Sequence, residues 1–212
     1  VNLDVVKKYF KVTENPEEAD FALVCIHGPD SGSGYSKEDR ESGGNGYLPI
    51  SLQYNPYTAT DSREESIAGD QREVSNRSYK GKSVKTKNKA DLDLVLDTKE
   101  AMKGKPVIVS MLLSNPAVVS EFESEIDGLL INFGVQDQAL LEIMTGEVEP
   151  SGLLPMQMPA DMKTVEEQFE DVSHDMRCHI DTEGNSYDFA FGLNWKGVIK
   201  DKRTEHYRRK SE

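Results

Sequence analysis

Three short apolar runs, separated by segments with helical periodicity, limit the possible folds of this chain more than any other feature. The runs occupy residues 21–26, 107–113 and 128–133. Strands in which successive side chains are all apolar are typical of parallel sheets that helices cover on both faces. The sequence therefore predicts an α/β protein built around a buried parallel sheet.

Helical patterns surround these runs, at residues 3–10, 90–103, 116–125 and 136–145. The alternation of strand and helix is that of a doubly wound domain. Further short strands are predicted at 153–158 and 187–193, the second at an edge. The predicted fold class is a three-layer α/β/α sandwich with a mostly parallel sheet and an antiparallel edge strand. The helical side chains expected in the core are Leu92, Val95, Leu96, Met102, Val118, Val119, Phe122, Leu140, Ile143 and Met144.

A long excursion at residues 27–90 interrupts the alternation, and we expect a single domain at 1–199 followed by a charged tail at 200–212. A loop of this length inside a domain is either functional or partly disordered. We expect its part at 58–89 to be mobile or to form an arm that rests on a neighbour. Asn76, Arg77 and Ser78 fit the sequence of an N-glycosylation site.

Charge and motif content exclude several classes of protein. The net charge is −13 with a pI near 4.8, so a phosphate backbone would be repelled and nucleic acid is not an expected partner. No run approaches the roughly 20 apolar residues that span a membrane. Neither a dinucleotide fingerprint nor a Walker A sequence is present, and the four histidines lack zinc-like spacing. We therefore expect no cofactor and no metal.

The two cysteines receive separate predictions. Cys25 lies inside the first apolar run, which predicts a buried core thiol. Cys178 lies in a polar segment, and a Cys25–Cys178 disulfide stays open as an alternative.

The excursion is the richest candidate site, because ligands of open parallel sheets bind beyond the carboxyl ends of the strands. Its glycines permit close approach of backbone to a ligand, and its carboxylates suit hydrogen bonds to sugar hydroxyls or proton transfer. Composition alone also fits a solvated acidic loop. The charged residues of this loop are Asp30, Glu38, Asp39, Arg40 and Glu41.

Four segments follow one another in a recognisable order. They are Ser114-Asn115-Pro116 in a strand-end turn, residues 129–138, the sequence GEVEPSGLLP at 146–155, and FGLNW at 191–195. Together they resemble the second domain of glycoside hydrolase family 3. The resemblance implies a retaining β-glycosidase of the β-glucosidase or β-xylosidase type. It also implies a β-linked glycoside as substrate, an N-terminal barrel domain of the same polypeptide that supplies an aspartate nucleophile, and a secreted or periplasmic location. The isolated chain is then expected to be inactive.

The position of the acid/base carboxyl is left open by the resemblance. Related members often read Asp-Ser-Gly-Glu-Gly-Tyr after the first strand, whereas Ser33 stands at the glutamate position here. The acid either moves to Glu38 or Glu41, comes from elsewhere, or is lost. Asp30, Ser33, Asp39 and Arg40 are the predicted substrate-binding residues. The alternatives are a non-catalytic structural or carbohydrate-contacting domain of the same enzyme class, and a stand-alone flavodoxin-like binding protein.

Overall fold

The computed structural model describes residues 1–64, 77–169, 172 and 174–207. Two 3₁₀ turns, Val119–Glu121 and Glu123–Glu125, add to the helices and strands of this part of the chain. In chain order these elements are α1 (Leu3–Val6), β1 (Ala22–His27), α2 (Lys37–Glu41), β2 (Tyr57–Thr58), β3 (Ser83–Val84), α3 (Lys89–Met102), β4 (Val107–Leu112), β5 (Gly128–Asn132), α4 (Asp137–Met144), α5 (Met162–Glu167), β6 (Leu193–Asn194), β7 (Gly197–Val198) and α6 (Lys202–Tyr207).

The central sheet has three parallel strands in the order β1–β4–β5. Ala22 lies opposite Val107, and Ile108 lies opposite Gly128. The three predicted strands and the α/β sandwich class are confirmed, with strand ends displaced by no more than one residue. The antiparallel pairs β2–β3 and β6–β7 form separate two-stranded ladders, so neither adds an edge strand to the sheet.

One face of the sheet packs against α3 and forms the main core. Val24 and Val109 contribute from the strands, and Leu92 and Val95 contribute from the helix. The prediction that Leu96 is buried is wrong, since its side chain is exposed. At about 100° per residue, Leu96 lies a quarter-turn or more from Val95, on the flank of the buried stripe.

The connection between β4 and β5 has a different secondary structure from the one predicted. Residues 116–125 form the two 3₁₀ turns instead of an α-helix, although Val118, Val119 and Phe122 are buried as expected. The Val118 N–H donates to the Leu52 carbonyl at 2.8 Å. Because a segment of the excursion already satisfies this backbone group, a continuous helix is not needed to pair it.

The second helical layer is α1 with α4, which contact each other. The Asn2 side chain caps α1 by accepting from the Asp4 N–H at 2.8 Å, and the Asn2 N–H donates to Asp137 of α4 at 2.7 Å. Leu140 is buried as predicted, whereas Ile143 and Met144 are only half-buried. The helix predicted at 3–10 covers only Leu3–Val6, followed by hydrogen-bonded turns.

The prediction that Cys25 is a buried core thiol is wrong. β1 is an edge strand of the described sheet, and its burial alternates along its second half. Val24 and Ile26 face the core, so the intervening Cys25 side chain points to the other face and is exposed. Cys178 is buried, and both thiols are free, so the alternative of a disulfide between them is also excluded.

The segment after α4 runs through irregular structure that is held by backbone hydrogen bonds. Residues 153–158 are not a strand, but the Leu154 N–H donates to Phe191 at 2.8 Å and the Met158 N–H donates to Tyr187 at 2.9 Å. α6 occupies part of the predicted charged tail, and Arg203 donates to the Ser151 carbonyl at 2.9 Å. The tail beyond residue 207 and Asn76 of the glycosylation sequence lie outside the described residues.

The described parts of the polar stretch 58–89 pack against the rest of the domain. β3 pairs with β2, and the Thr86 hydroxyl donates to the Gln53 carbonyl at 2.8 Å. The remainder of the predicted arm, 65–76, lies outside the described residues. Within the described chain, every helix is too short or too polar to cross a bilayer.

Candidate functional site

The carboxyl edge of the sheet carries the first candidate site, a cleft of about 520 Å³ that we call the strand-end cleft. β1 and β4 end side by side there, and the Gly28 N–H donates to the Leu112 carbonyl at 2.8 Å. Asp30 lines the cleft from the excursion, and Ser114 and Asn115 line it from the turn after β4. The excursion and the β4 turn therefore meet at one edge of the sheet.

The start of α3 fixes the first residues of the excursion. The Asn88 side chain donates to the Gly28 carbonyl at 3.0 Å and accepts from the Asp30 N–H at 2.8 Å. Asp91 accepts from the His27 N–H at 3.1 Å and from the Asn88 side chain at 2.9 Å. These hydrogen bonds pair the backbone groups where β1 ends, so the protein's own contacts organise the wall of the cleft.

Asp30 is an ionised acceptor at this wall. Its carboxylate accepts from the Gly32 N–H at 2.9 Å and lies 3.3 Å from the Lys87 ammonium. The Gly32 hydrogen bond and the Lys87 contact lower the pKa of Asp30. The charge suits hydrogen bonding to hydroxyl groups and is unsuited to donating a proton near neutral pH.

The predicted residues Glu38, Asp39, Arg40 and Glu41 lie on α2, within a small lobe made by residues 34–48. The lobe closes through paired backbone hydrogen bonds, from the Leu48 N–H to Gly34 at 2.9 Å and from the Ser36 N–H to Gly46 at 2.7 Å. Glu38 and Glu41 are exposed on its surface, and Glu41 pairs with Lys37 at 3.5 Å. Neither glutamate lines the strand-end cleft or the second cavity described below.

Asp39 and Arg40 make contacts within the lobe and to its neighbours. The Asp39 carboxylate accepts from the Gly46 N–H at 2.8 Å and from Lys82 at 2.7 Å. The Lys82 hydrogen bond, followed by that of Gly46, lowers the pKa of Asp39. Arg40 donates to the Tyr35 hydroxyl at 3.4 Å. Asp39 thus joins α2 to both the lobe turn and the segment before β3.

A second cavity of about 560 Å³ lies between the lobe and α5, and we call it the lobe cavity. Ser33 and Tyr47 line one side, and Glu166 lines the other. Ile50 borders both this cavity and the strand-end cleft, and the loop at residues 31–34 runs from one to the other. The two concave surfaces therefore adjoin.

Glu166 is the buried carboxyl of the lobe cavity, with only 8% of its surface exposed. The Tyr57 hydroxyl donates to one carboxyl oxygen at 3.0 Å, and the Tyr79 hydroxyl donates to the other at 3.1 Å. Burial raises the pKa of Glu166, and the two tyrosine hydrogen bonds oppose that shift in part. Burial disfavours the charged form of a carboxyl, so this group holds its proton more tightly than an exposed glutamate.

Sequence reasoning missed Asn88, Asp91 and Glu166. Asn88 and Asp91 are three residues apart at the start of a helix, a spacing typical of a helix N-terminus. This signal could have located both residues. Glu166 lies in the sequence MKTVEE, which reads as an exposed helix. No pattern in the sequence predicts that Glu166 is buried, because Tyr57 and Tyr79, which enclose it, lie about a hundred residues earlier in the chain.

No group of three or more histidine, cysteine, aspartate or glutamate side chains that could hold a metal occurs in residues 1–64, 77–169, 172 and 174–207. The site is thus a pair of adjoining concave surfaces with carboxylates, hydroxyls and amides as its polar groups.

A three-stranded α/β sandwich with a site at the carboxyl edge defines the class of domain. Over residues 6–195 the chain matches the family described as "Glycosyl hydrolase family 3 C-terminal domain", and it belongs to that family. The resemblance inferred from the sequence is confirmed.

Fungal β-glucosidases are among the similar proteins. The chain is 31% identical over 104 residues to "Probable beta-glucosidase C" of Aspergillus flavus, a stretch that covers 47% of this chain and 16% of the relative. It is 32% identical over 91 residues to "Beta-glucosidase C" of Emericella nidulans, covering 43% of this chain and 14% of the relative. The matched stretch is thus a small part of the length of these relatives.

Proposed function

We propose that this chain is the second domain of a retaining β-glycosidase of the β-glucosidase type, with an active site completed by a barrel domain. The observation that carries the proposal is the strand-end cleft. It lies at the edge where ligands of parallel sheets bind, and Asn88 and Asp91 organise its wall in advance. The names of the relatives support the β-glucosidase type of activity in this proposal.

The chemistry explains why two domains are needed. A retaining glycosidase uses two carboxyl groups about 5–5.5 Å apart, one as nucleophile and one as acid and then base. In this proposal the barrel supplies the nucleophile, and a β-linked glycoside binds between the barrel and the carboxyl edge. Asp30 and Ser33 contact substrate hydroxyls from the excursion, while Asp39 and Arg40 hold the lobe that flanks them. The reaction needs neither a metal nor an organic cofactor.

Glu38 and Glu41 are the acid/base candidates that the sequence predicts. Both are exposed on α2, where a neighbouring domain can cover them. The test replaces each by glutamine in the enzyme that carries the barrel. A general acid/base contributes about 10²–10⁴-fold to the rate, so loss of the true residue lowers kcat by that order. Azide restores turnover in such a variant, because it replaces the water that the missing base would activate.

Glu125→Gln is the matched control, because Glu125 is also exposed and precedes β5, at the end of the sheet away from the strand-end cleft. Loss of kcat in one lobe variant, with rescue by azide, supports the predicted acid/base assignment. Unchanged turnover in both lobe variants removes Glu38 and Glu41 from the chemistry and leaves a substrate-contacting role for the lobe.

A further inference from the structure

The lobe cavity holds a feature that the proposed function leaves unexplained, a buried carboxyl facing an open space. Glu166 is 8% exposed and yet lines a cavity of about 560 Å³. A solitary carboxylate is costly to bury, and such groups are kept where they serve a purpose or are well paired. Here the partners are two phenol hydroxyls, which leave each carboxyl oxygen a further site for a hydrogen bond.

The cavity lies beside the strand-end cleft. Ile50 borders both, and the loop at residues 31–34 has Ser31 and Gly32 in the cleft and Ser33 and Gly34 in the cavity. A glycoside bound at the carboxyl edge of the sheet is therefore next to the cavity that Glu166 lines. The cavity has tyrosine rings in its wall, Tyr35 and Tyr47, which suit the apolar face of a sugar.

We infer that Glu166 is the acid/base residue that this domain contributes to glycoside cleavage, an inference that rests on the proposed function. The Glu166 carboxyl gives its proton to the glycosidic oxygen while the bond from that oxygen to the anomeric carbon breaks. The electron pair of the bond goes to the oxygen, and the aglycone leaves as an alcohol. A carboxylate nucleophile of the barrel bonds to the anomeric carbon. The Glu166 carboxylate then takes a proton from a water molecule whose oxygen bonds to the anomeric carbon, while the ester bond to the barrel carboxylate breaks and that carboxylate is regenerated.

The environment of Glu166 fits both halves of this cycle. Burial keeps the carboxyl protonated to a higher pH, as an acid requires, while the hydroxyls of Tyr57 and Tyr79 stabilise the carboxylate formed afterwards. The other charged groups that act on it are Asp61, which raises the pKa of Glu166, and Arg63, which lowers it. The exposed Glu38 and Glu41 have no comparable enclosure, so this inference assigns the acid/base role to Glu166 in their place. Azide-rescued loss of kcat in either lobe variant would overturn it.

The test compares two substrates in the enzyme that carries the barrel, with glutamine at position 166. Glu166→Gln is expected to lower kcat/KM about 10²–10⁴-fold for cellobiose, whose leaving alcohol needs a proton. The loss of kcat/KM for 2,4-dinitrophenyl β-glucoside is expected to be less than tenfold, because that leaving group departs without protonation. Azide should raise the turnover of the variant and yield the β-glucosyl azide. The basic limb of the pH profile for cellobiose should disappear.

Controls separate this role from a structural one. Glu167→Gln removes an exposed neighbour that pairs with Lys163 at 3.6 Å, and it should match the wild type on both substrates. Tyr57→Phe keeps the Glu166 carboxyl but removes one hydrogen bond that stabilises its carboxylate form. The apparent pKa of the basic limb of the pH profile for cellobiose should therefore rise. That variant keeps the inference testable if Glu166→Gln fails to fold.

The outcomes separate the two proposals. Equal losses on both substrates without azide rescue, an unchanged pH profile in Tyr57→Phe, or wild-type turnover of cellobiose by Glu166→Gln would each overturn the role of Glu166 and leave the proposed function standing. A wild-type enzyme that cleaves neither substrate would overturn both.

Discussion

Three carboxyl groups of this domain have the same chemistry and three different environments. Asp39 pairs with Lys82, and this contact lowers the pKa of Asp39. Burial raises the pKa of Glu166, and Glu38 is exposed on the lobe surface. Environment, and not residue type, decides how tightly Asp39 and Glu166 hold a proton.

Sequence patterns located some carboxyl groups of the candidate site and missed others for a physical reason. Asp30 follows the first strand directly, so its place at the carboxyl edge is fixed by local order along the chain. Glu166 is enclosed by Tyr57 and Tyr79, whose approach depends on how the excursion folds back over α5. The burial of Cys25 was mispredicted because an apolar run does not reveal which strand lies at an edge.

At the residue scale, Gly192 provides the sharpest prediction. A Cβ atom at this position would lie 2.2 Å from the Gly152 carbonyl oxygen, a backbone atom that cannot move alone. Gly192→Ala is expected to lower the free energy of unfolding by about 1–3 kcal/mol through overpacking. Gly152→Ala is the matched control, because a Cβ there meets nothing within 4 Å. Urea denaturation of both variants measures the difference, and equal midpoints would contradict the close approach.

At the element scale, continuous apolar runs predicted the strands well because buried parallel strands need apolar side chains on both faces. The connection at 116–125 shows the limit of the same approach. Its helical periodicity correctly identified Val118, Val119 and Phe122 as buried, yet the chain forms two 3₁₀ turns there. Two hydrogen bonds hold this geometry: the Leu52 carbonyl accepts from the Val118 N–H, and the Glu121 carboxylate accepts from the Tyr54 N–H. Both join segments that are far apart in the sequence.

The 3₁₀ connection should matter for stability through Phe122. This ring is fully buried and contacts Tyr54, with ring centroids 6.3 Å apart. Phe122→Ala is expected to cost about 3–5 kcal/mol, the usual range for removing a buried aromatic side chain. Val148→Ala, at an exposed site after α4, should change stability by less than about 0.5 kcal/mol. Chemical denaturation monitored by circular dichroism measures both, and a small effect at Phe122 would contradict the packing.

At the scale of the whole molecule, the domain presents an organised edge with two concave surfaces. The strand-end cleft and the lobe cavity adjoin, and both carry acceptors suited to sugar hydroxyls. The chain belongs to the C-terminal domain of glycosyl hydrolase family 3, and it matches 16% or less of the length of the β-glucosidases described above. In the proposed function, catalysis needs this edge to meet a second domain that brings a nucleophile.

The most direct test is to measure hydrolysis of an aryl β-glucoside by the purified chain alone and by the same chain joined to the proposed barrel domain. The account predicts turnover only in the joined form. Circular dichroism of the chain alone should confirm that it is folded. Release of the aryl alcohol at a comparable rate by the chain alone would contradict the claim that two domains share the active site.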